Sequence, residues 1–141
     1  MNETEKRIIQ LIDEHREELI AMGNELYTRA ERGFAEVNTS AFIADKLKKL
    51  GLNVQTGLAG TGLRASAGKE GGVNVALISE LDGILCPSHP QAAPDGMSHA
   101  CGHHAQMTAM LGAAIALTCP EVAAELDGQA TFFAVPSEEF L

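Results

Sequence analysis

Positive charge is nearly missing from most of this sequence. Residues 51–141 hold nine acidic residues and two basic ones, Arg64 and Lys69, in a chain with ten Lys and Arg against nineteen Asp and Glu. Such a depleted surface excludes phosphate-backbone binding, so no nucleic-acid partner is expected. Long apolar runs are absent too: nothing approaches the roughly 18 residues that a membrane-spanning helix needs. The N-terminus opens on Asn2, Glu3, Thr4, Glu5, Lys6 and Arg7, which is no signal segment. No membrane partner is expected, and the cytoplasm is the expected compartment. Cysteine is scarce: Cys86, Cys101 and Cys119 are an odd number without small-secreted-domain spacing, which argues against a disulfide framework and fits a reducing compartment. Internal repeats and low-complexity segments are also lacking. At 141 residues the chain is long enough for one core and too short for two ordinary domains, so a two-domain enzyme is not all here. Its 45% hydrophobic and 21% charged residues are a globular composition.

Periodicity then supplies the elements. Ile8, Leu11, Ile12, His15, Leu19, Met22 and Leu26 follow steps of three and four, predicting one long amphipathic helix over 3–31 with Gly33 as its cap. His15 lies on the apolar stripe and reads as a packed or half-buried side chain. Asn38, Thr39 and Ser40 offer N-cap oxygens to a second helix over 39–50, which Lys48, Lys49 and Gly51 close. Residues 52–56 and 62–67 read as strands joined by a turn; no GK[ST] ending makes Gly57, Gly60 and Gly62 a phosphate cradle. The run at 73–78 has the pattern of a strand buried on both faces of a largely parallel sheet. After a loop with Pro87, Pro90 and Pro94, helical spacing returns at Met107, Met110, Leu111, Ala114 and Leu117 among small residues. A last strand, 129–135, stops at Pro136. The expected class is α/β, a central, largely parallel or mixed sheet flanked by helices, with ligands collecting beyond the carboxyl ends of its strands.

Polar clusters stand at those ends. His99, Cys101, His103 and His104 fall within six residues before an apolar helix, and each is a good donor to zinc or another divalent metal. The plain alternative is a surface loop. The helix N-terminus is expected to favour thiolate at Cys101, the form a metal needs. Adjacent Glu138 and Glu139 cannot point the same way on an extended segment, so one could bind a metal while its neighbour faces a metal-bound water. That free carboxylate would take the water's proton and return it to a leaving nitrogen; a solvated loop is the bland reading of the pair. Asp82, at the end of 73–78, could hydrogen-bond a liganding imidazole or touch the metal itself, and Glu80 could face the same crevice. Cys86, His89 and Cys119 read as structural. A cysteine hydrolase built on Cys101 and His103 fits less well, since their spacing suits chelation better than a nucleophile and base.

Three segments together resemble the M20 metallopeptidase family. They are Ser79-Glu80-Leu81-Asp82-Gly83-Ile84, then His99-Ala100-Cys101-Gly102-His103 with Leu111-Gly112-Ala113-Ala114, then Pro136-Ser137-Glu138-Glu139. With Arg32-Gly33-Phe34 they are most similar to its amidohydrolase branch, which includes aminoacylase-like, N-acyl-amino-acid and aminobenzoyl-glutamate hydrolases. The resemblance implies part of the catalytic domain of a di-metal exopeptidase-like fold, with two divalent ions, Zn or Mn, per site. It implies Cys101, His103 and Glu139 as metal ligands, Glu138 as general base and Asp82 as a supporting catalytic residue. His104 and Glu80 depart from the branch, where Asp is common at both places. Members of the branch continue past the Glu pair with two further histidine ligands and a covering, dimerising domain. Residues 1–141 are therefore expected to be the N-terminal part of the catalytic domain, without that remainder. The expected substrate is a small N-acyl amino acid or peptide conjugate, cleaved through metal-activated water by the complete enzyme. The expected assembly is a homo-oligomer, and the isolated 141 residues are expected to be inactive. A non-catalytic metal-binding or interaction module is the alternative.

Overall fold

A computed structural model describes residues 1–139. The stretch predicted as one helix forms two, α1 (Glu3–Glu14) and α2 (Arg16–Tyr27). The break falls at His15, whose backbone leaves the helical region at φ −98°, ψ 10°. Its ring Nδ1 lies 2.9 Å from the Leu11 carbonyl, an oxygen that also accepts the His15 backbone N–H at 3.1 Å. The ring is half-buried, as its place on the apolar stripe implied. Gly33 is no cap, because α2 ends at Thr28.

Helix α3 (Val37–Lys49) begins close to its expected place, but the cap comes from elsewhere. The Glu31 carboxylate accepts from the Asn38 N–H at 3.1 Å, the Thr39 N–H at 2.7 Å and the Thr39 hydroxyl at 2.7 Å. A carboxylate reaching in from the preceding turn satisfies orphan donors and complements the helix dipole together. Lys46, Lys48 and Lys49 occupy the last turn, as charge preference dictates.

Strands β1 (Gln55–Leu58), β2 (Gly62–Gly68), β3 (Val73–Glu80) and β6 (Gly128–Val135) form one sheet in the order β1-β2-β6-β3. It is mixed: β1 and β6 run antiparallel to β2, whereas β3 runs parallel to β6. The proline-rich loop carries a short ribbon, β4 (Ile84–Leu85) with β5 (Met97–Ser98). Helices α4 (His103–Thr118) and α5 (Pro120–Ala124) separate that ribbon from β6. One prediction fails here: β3 is not buried on both faces. It is an edge strand among the described residues, and Val73, Val75 and Ile78 are 75%, 58% and 64% exposed. An apolar run reports that a strand is made for burial; it cannot report which neighbours are present to bury it.

The core lies between the sheet and α4, whose apolar residues occupy almost every face, as in a central helix. Period-2 alternation turns Leu63, Ala65 and Ala67 of β2, with Ala130, Phe132 and Ala134 of β6, toward Met107, Met110, Leu111 and Ala114. The strand alanines let the helix approach closely. Met22 and Leu26 of α2 and Ile43 and Leu47 of α3 close the same cluster. The opposite sheet face carries a polar cluster: the Ser66 and Thr131 hydroxyls pair at 2.9 Å, and Thr131 donates to Asn74 at 2.9 Å. This packing pins the parallel pair β3 and β6 against the start of α4, bringing three chemistry-bearing segments to one end of the sheet.

Candidate metal centre

Strand β3 ends in Glu80, which pairs in register with Val135 at the end of β6. The Leu81 N–H donates to the Val135 carbonyl at 2.9 Å, so the two chains leave the sheet side by side. One leads into Asp82 and the other into Pro136-Ser137-Glu138-Glu139. The α4 N-terminus faces both. Gly102, at φ +113°, makes the sharp turn that separates Cys101 from His103, in a region that favours glycine.

His103 is the centre of the arrangement and is 2% exposed. Its Nδ1 lies 2.8 Å from the Asp82 main-chain carbonyl and 3.3 Å from the Asp82 carboxylate. A carbonyl can only accept, so the proton belongs on Nδ1 and the Nε2 lone pair is free to bind a cation. Around Nε2 stand Glu80 at 3.0 Å, Glu138 at 3.6 Å and Glu139 at 3.7 Å. Donor atoms of Cys101, His103 and Glu139 lie within 4.8 Å of one another, and so do those of Glu80, His103 and Glu138.

Asp82 is wholly buried and works through both of its ends. Besides the contacts to His103, its Oδ2 accepts the Glu139 N–H at 2.8 Å. Its Oδ1 is buried with no hydrogen-bond partner. One imidazole nitrogen ringed by three carboxylates and a thiol is a donor set suited to a divalent cation. Thiol and imidazole favour zinc and its neighbours, while added carboxylates extend the range toward manganese.

The electrostatics correct one expectation. Cys101 is not pushed toward thiolate by the helix N-terminus. Its thiol donates to Glu139, and that bond, partial burial and the charges of Glu139, Glu138 and Glu80 push its pKa up to about 11. Nearby full negative charges outweigh the half charge of a helix end. Glu80, expected to face the same crevice as Asp82 and noted as a departure from the branch, is the carboxylate nearest Nε2. His104 points away, its ring 4.6 Å from that of Tyr27 and 5.7 Å from that of His99. Cys86, His89 and Cys119 belong to neither donor group.

Beside the Asp82 and Glu139 carboxylates lies an open cavity of about 320 Å³, whose wall includes Arg32, Gly83, Leu85, Asp95 and Met97. That is room for a small ligand.

No protein-family model matches the chain, but curated proteins and solved structures do. A Rhodococcus jostii protein provisionally named glutamate–cysteine ligase 2-3 is 35% identical over 71% of this chain, a stretch that is only 13% of its own length. IAA-amino acid hydrolase ILR1-like 4 of Arabidopsis thaliana is 31% identical over 86% of this chain and 28% of its own. N-acetyl-L-cysteine deacetylase of Bacillus subtilis is 32% identical over 86% of this chain and 30% of its own. The chain thus spans less than a third of the length of these relatives. Among solved structures, the Bacillus subtilis YXEP protein, described as a dinuclear metal binding peptidase from the M20 family, superimposes with a TM-score of 0.78 at 29% identity. That match covers 90% of this chain and 36% of YXEP. Sequence and fold agree: the chain's homologues are amidohydrolases and its structural neighbours peptidases of the M20 metallopeptidase family, and it spans only part of their length.

Proposed function

We propose that this chain is the N-terminal part of the catalytic domain of a metal-dependent amide hydrolase acting on small N-acyl amino acids or peptide conjugates. The observation that carries the reading is the convergence of Cys101, Glu80, Glu138 and Glu139 on the free Nε2 of buried His103. In this reading Cys101, His103 and Glu139 hold a divalent ion, Zn or Mn, as the first of a pair. Such an ion supplies Lewis acidity, easing deprotonation of water and polarising an amide carbonyl. Glu138 is half-exposed toward solvent and stays off the Cys101 donor group. It is therefore the base that takes a proton from water and returns it to the leaving nitrogen. Asp82 serves through orientation, fixing the His103 ring and the Glu139 main chain. The cavity beside Glu139 receives the substrate.

Residues 1–141 taken alone hold the ion weakly and turn over nothing, since three ligands leave coordination incomplete and Cys101 is exposed. The open β3 edge, with Val73, Val75 and Ile78 in solvent, favours self-association. All three cysteines are free thiols, in keeping with a cytoplasmic placement. No helix among the described residues is long and apolar enough to cross a membrane. Hydrolysis of a panel of N-acyl amino acids by the intact protein, stripped of metal and then reconstituted with Zn²⁺ or Mn²⁺, tests the reading. Amine release that returns with metal is expected; tight metal binding without release would favour the non-catalytic module instead.

A further inference from the structure

Glu36 is a wholly buried carboxylate immediately before α3, far in sequence from the donor residues. Burying a charged group is costly unless its oxygens are satisfied, and both are. Oε2 accepts the Thr61 hydroxyl at 2.5 Å, and Oε1 accepts the Ser137 N–H at 2.8 Å. Ser137 sits at φ +62°, a left-handed conformation that residues other than glycine rarely hold without support. The other side of that turn is walled by Gly33, where an added Cβ would stand 2.7 Å from the Ser137 hydroxyl and 3.1 Å from its Cα. Two residues further on, the Asp82 carboxylate takes the Glu139 N–H at 2.8 Å. Two buried carboxylates thus grip alternate N–H groups of the turn that carries the Glu pair.

We propose that Glu36 is a positioning residue: by holding Ser137 in its left-handed conformation against Gly33, it sets the directions in which Glu138 and Glu139 leave the turn. The claim rests on the reading of that pair as metal ligand and base. Its action passes through the Ser137 main chain, so the amide matters, not the negative charge of Glu36. A glutamine in its place presents the same acceptor to Ser137 and can donate to the Thr61 hydroxyl. A leucine keeps the bulk and loses both bonds. Gly33→Ala presses on the turn from the opposite side without touching the buried carboxylate.

The test compares the unaltered protein with Glu36→Gln, Glu36→Leu and Gly33→Ala, using amide hydrogen exchange at Glu139 and cobalt titration. In metal-free protein, Glu139 exchange is expected to quicken about tenfold in Glu36→Leu and Gly33→Ala and to stay near normal in Glu36→Gln. The absorption band of thiolate-bound cobalt should weaken in the same two variants and persist in Glu36→Gln. Gly33→Ala carries the test if Glu36→Leu does not fold. Equal exchange and equal cobalt binding in all four proteins would overturn the proposal. No cobalt band even in the unaltered protein would overturn it too, there being no centre to position. The exchange rates would then show separately whether the turn itself is held as described.

Discussion

In the intact protein, Glu138→Gln is expected to leave metal affinity nearly unchanged while lowering turnover by about 10²–10⁴-fold, the usual loss when a positioned proton acceptor is removed. The amide keeps the shape of the side chain and its place on the turn but cannot take a proton. Glu138 Oε2 stands 3.6 Å from His103 Nε2 outside the donor group of Cys101, so losing its charge spares that group. Glu139→Gln should fail in the opposite order. Glu139 is both within 4.8 Å of the other two donors and the acceptor of the Cys101 thiol, so metal is lost first and activity follows. Metal content and kcat measured on both variants separate the roles. Two variants that keep metal and full activity would make the pair an ordinary solvated turn.

Acid should destabilise the metal-free fold through His99. The ring is 2% exposed, and neither nitrogen has a hydrogen-bond partner. Burial, then repulsion from His104 and His103, brings its pKa down to about 4, against a partial pull upward from Asp82 and Glu31. An unfolded histidine titrates near 6.5. Between about pH 6.5 and about pH 4 the unfolded chain therefore binds a proton that the folded chain refuses. Stability falls as pH drops through that window, by on the order of 3 kcal/mol in all. His104 is shifted downward as well, by burial and by His103, and adds to the loss with the same sign. Other groups also titrate in acid, so the comparison that isolates His99 is urea unfolding of the protein and of His99→Leu at neutral and acidic pH. The variant removes two orphaned nitrogens and should lose about 3 kcal/mol less stability over the same interval. Parallel pH profiles would remove His99 from the account.

Much of this structure was legible in the sequence where one local rule decided the outcome. End signals found α3, spacing of three and four found α4, and the clusters at 79–82, 99–104 and 136–139 pointed to one end of a sheet, which is where they lie. What escaped depended on contacts that no residue pattern encodes. At His15 the ring meets the Leu11 carbonyl, which periodicity does not register. Glu31 and Glu36 belong to no motif read from the sequence, yet one caps α3 and the other holds Ser137, because their partners are main-chain N–H groups placed by tertiary structure. Cys101 was misjudged because a helix end is visible in sequence, whereas three carboxylates brought near the thiol by the fold are not. The edge position of β3 followed the same logic: its apolar run records a need for burial and not the neighbour that meets it. Departures from the branch carried more information than they first offered, since Glu80 stands nearest the His103 nitrogen.

The central claim is that Cys101, His103 and Glu139 together hold a divalent ion, and calorimetric titration of Zn²⁺ or Co²⁺ into the protein and its Cys101→Ser/His103→Ala double variant tests it most directly. Tighter binding by the unaltered protein is predicted. It should weaken as pH falls, because the imidazole Nε2 and a thiol raised to about 11 must both be free of protons to coordinate. Superimposable isotherms for the two proteins would contradict the account.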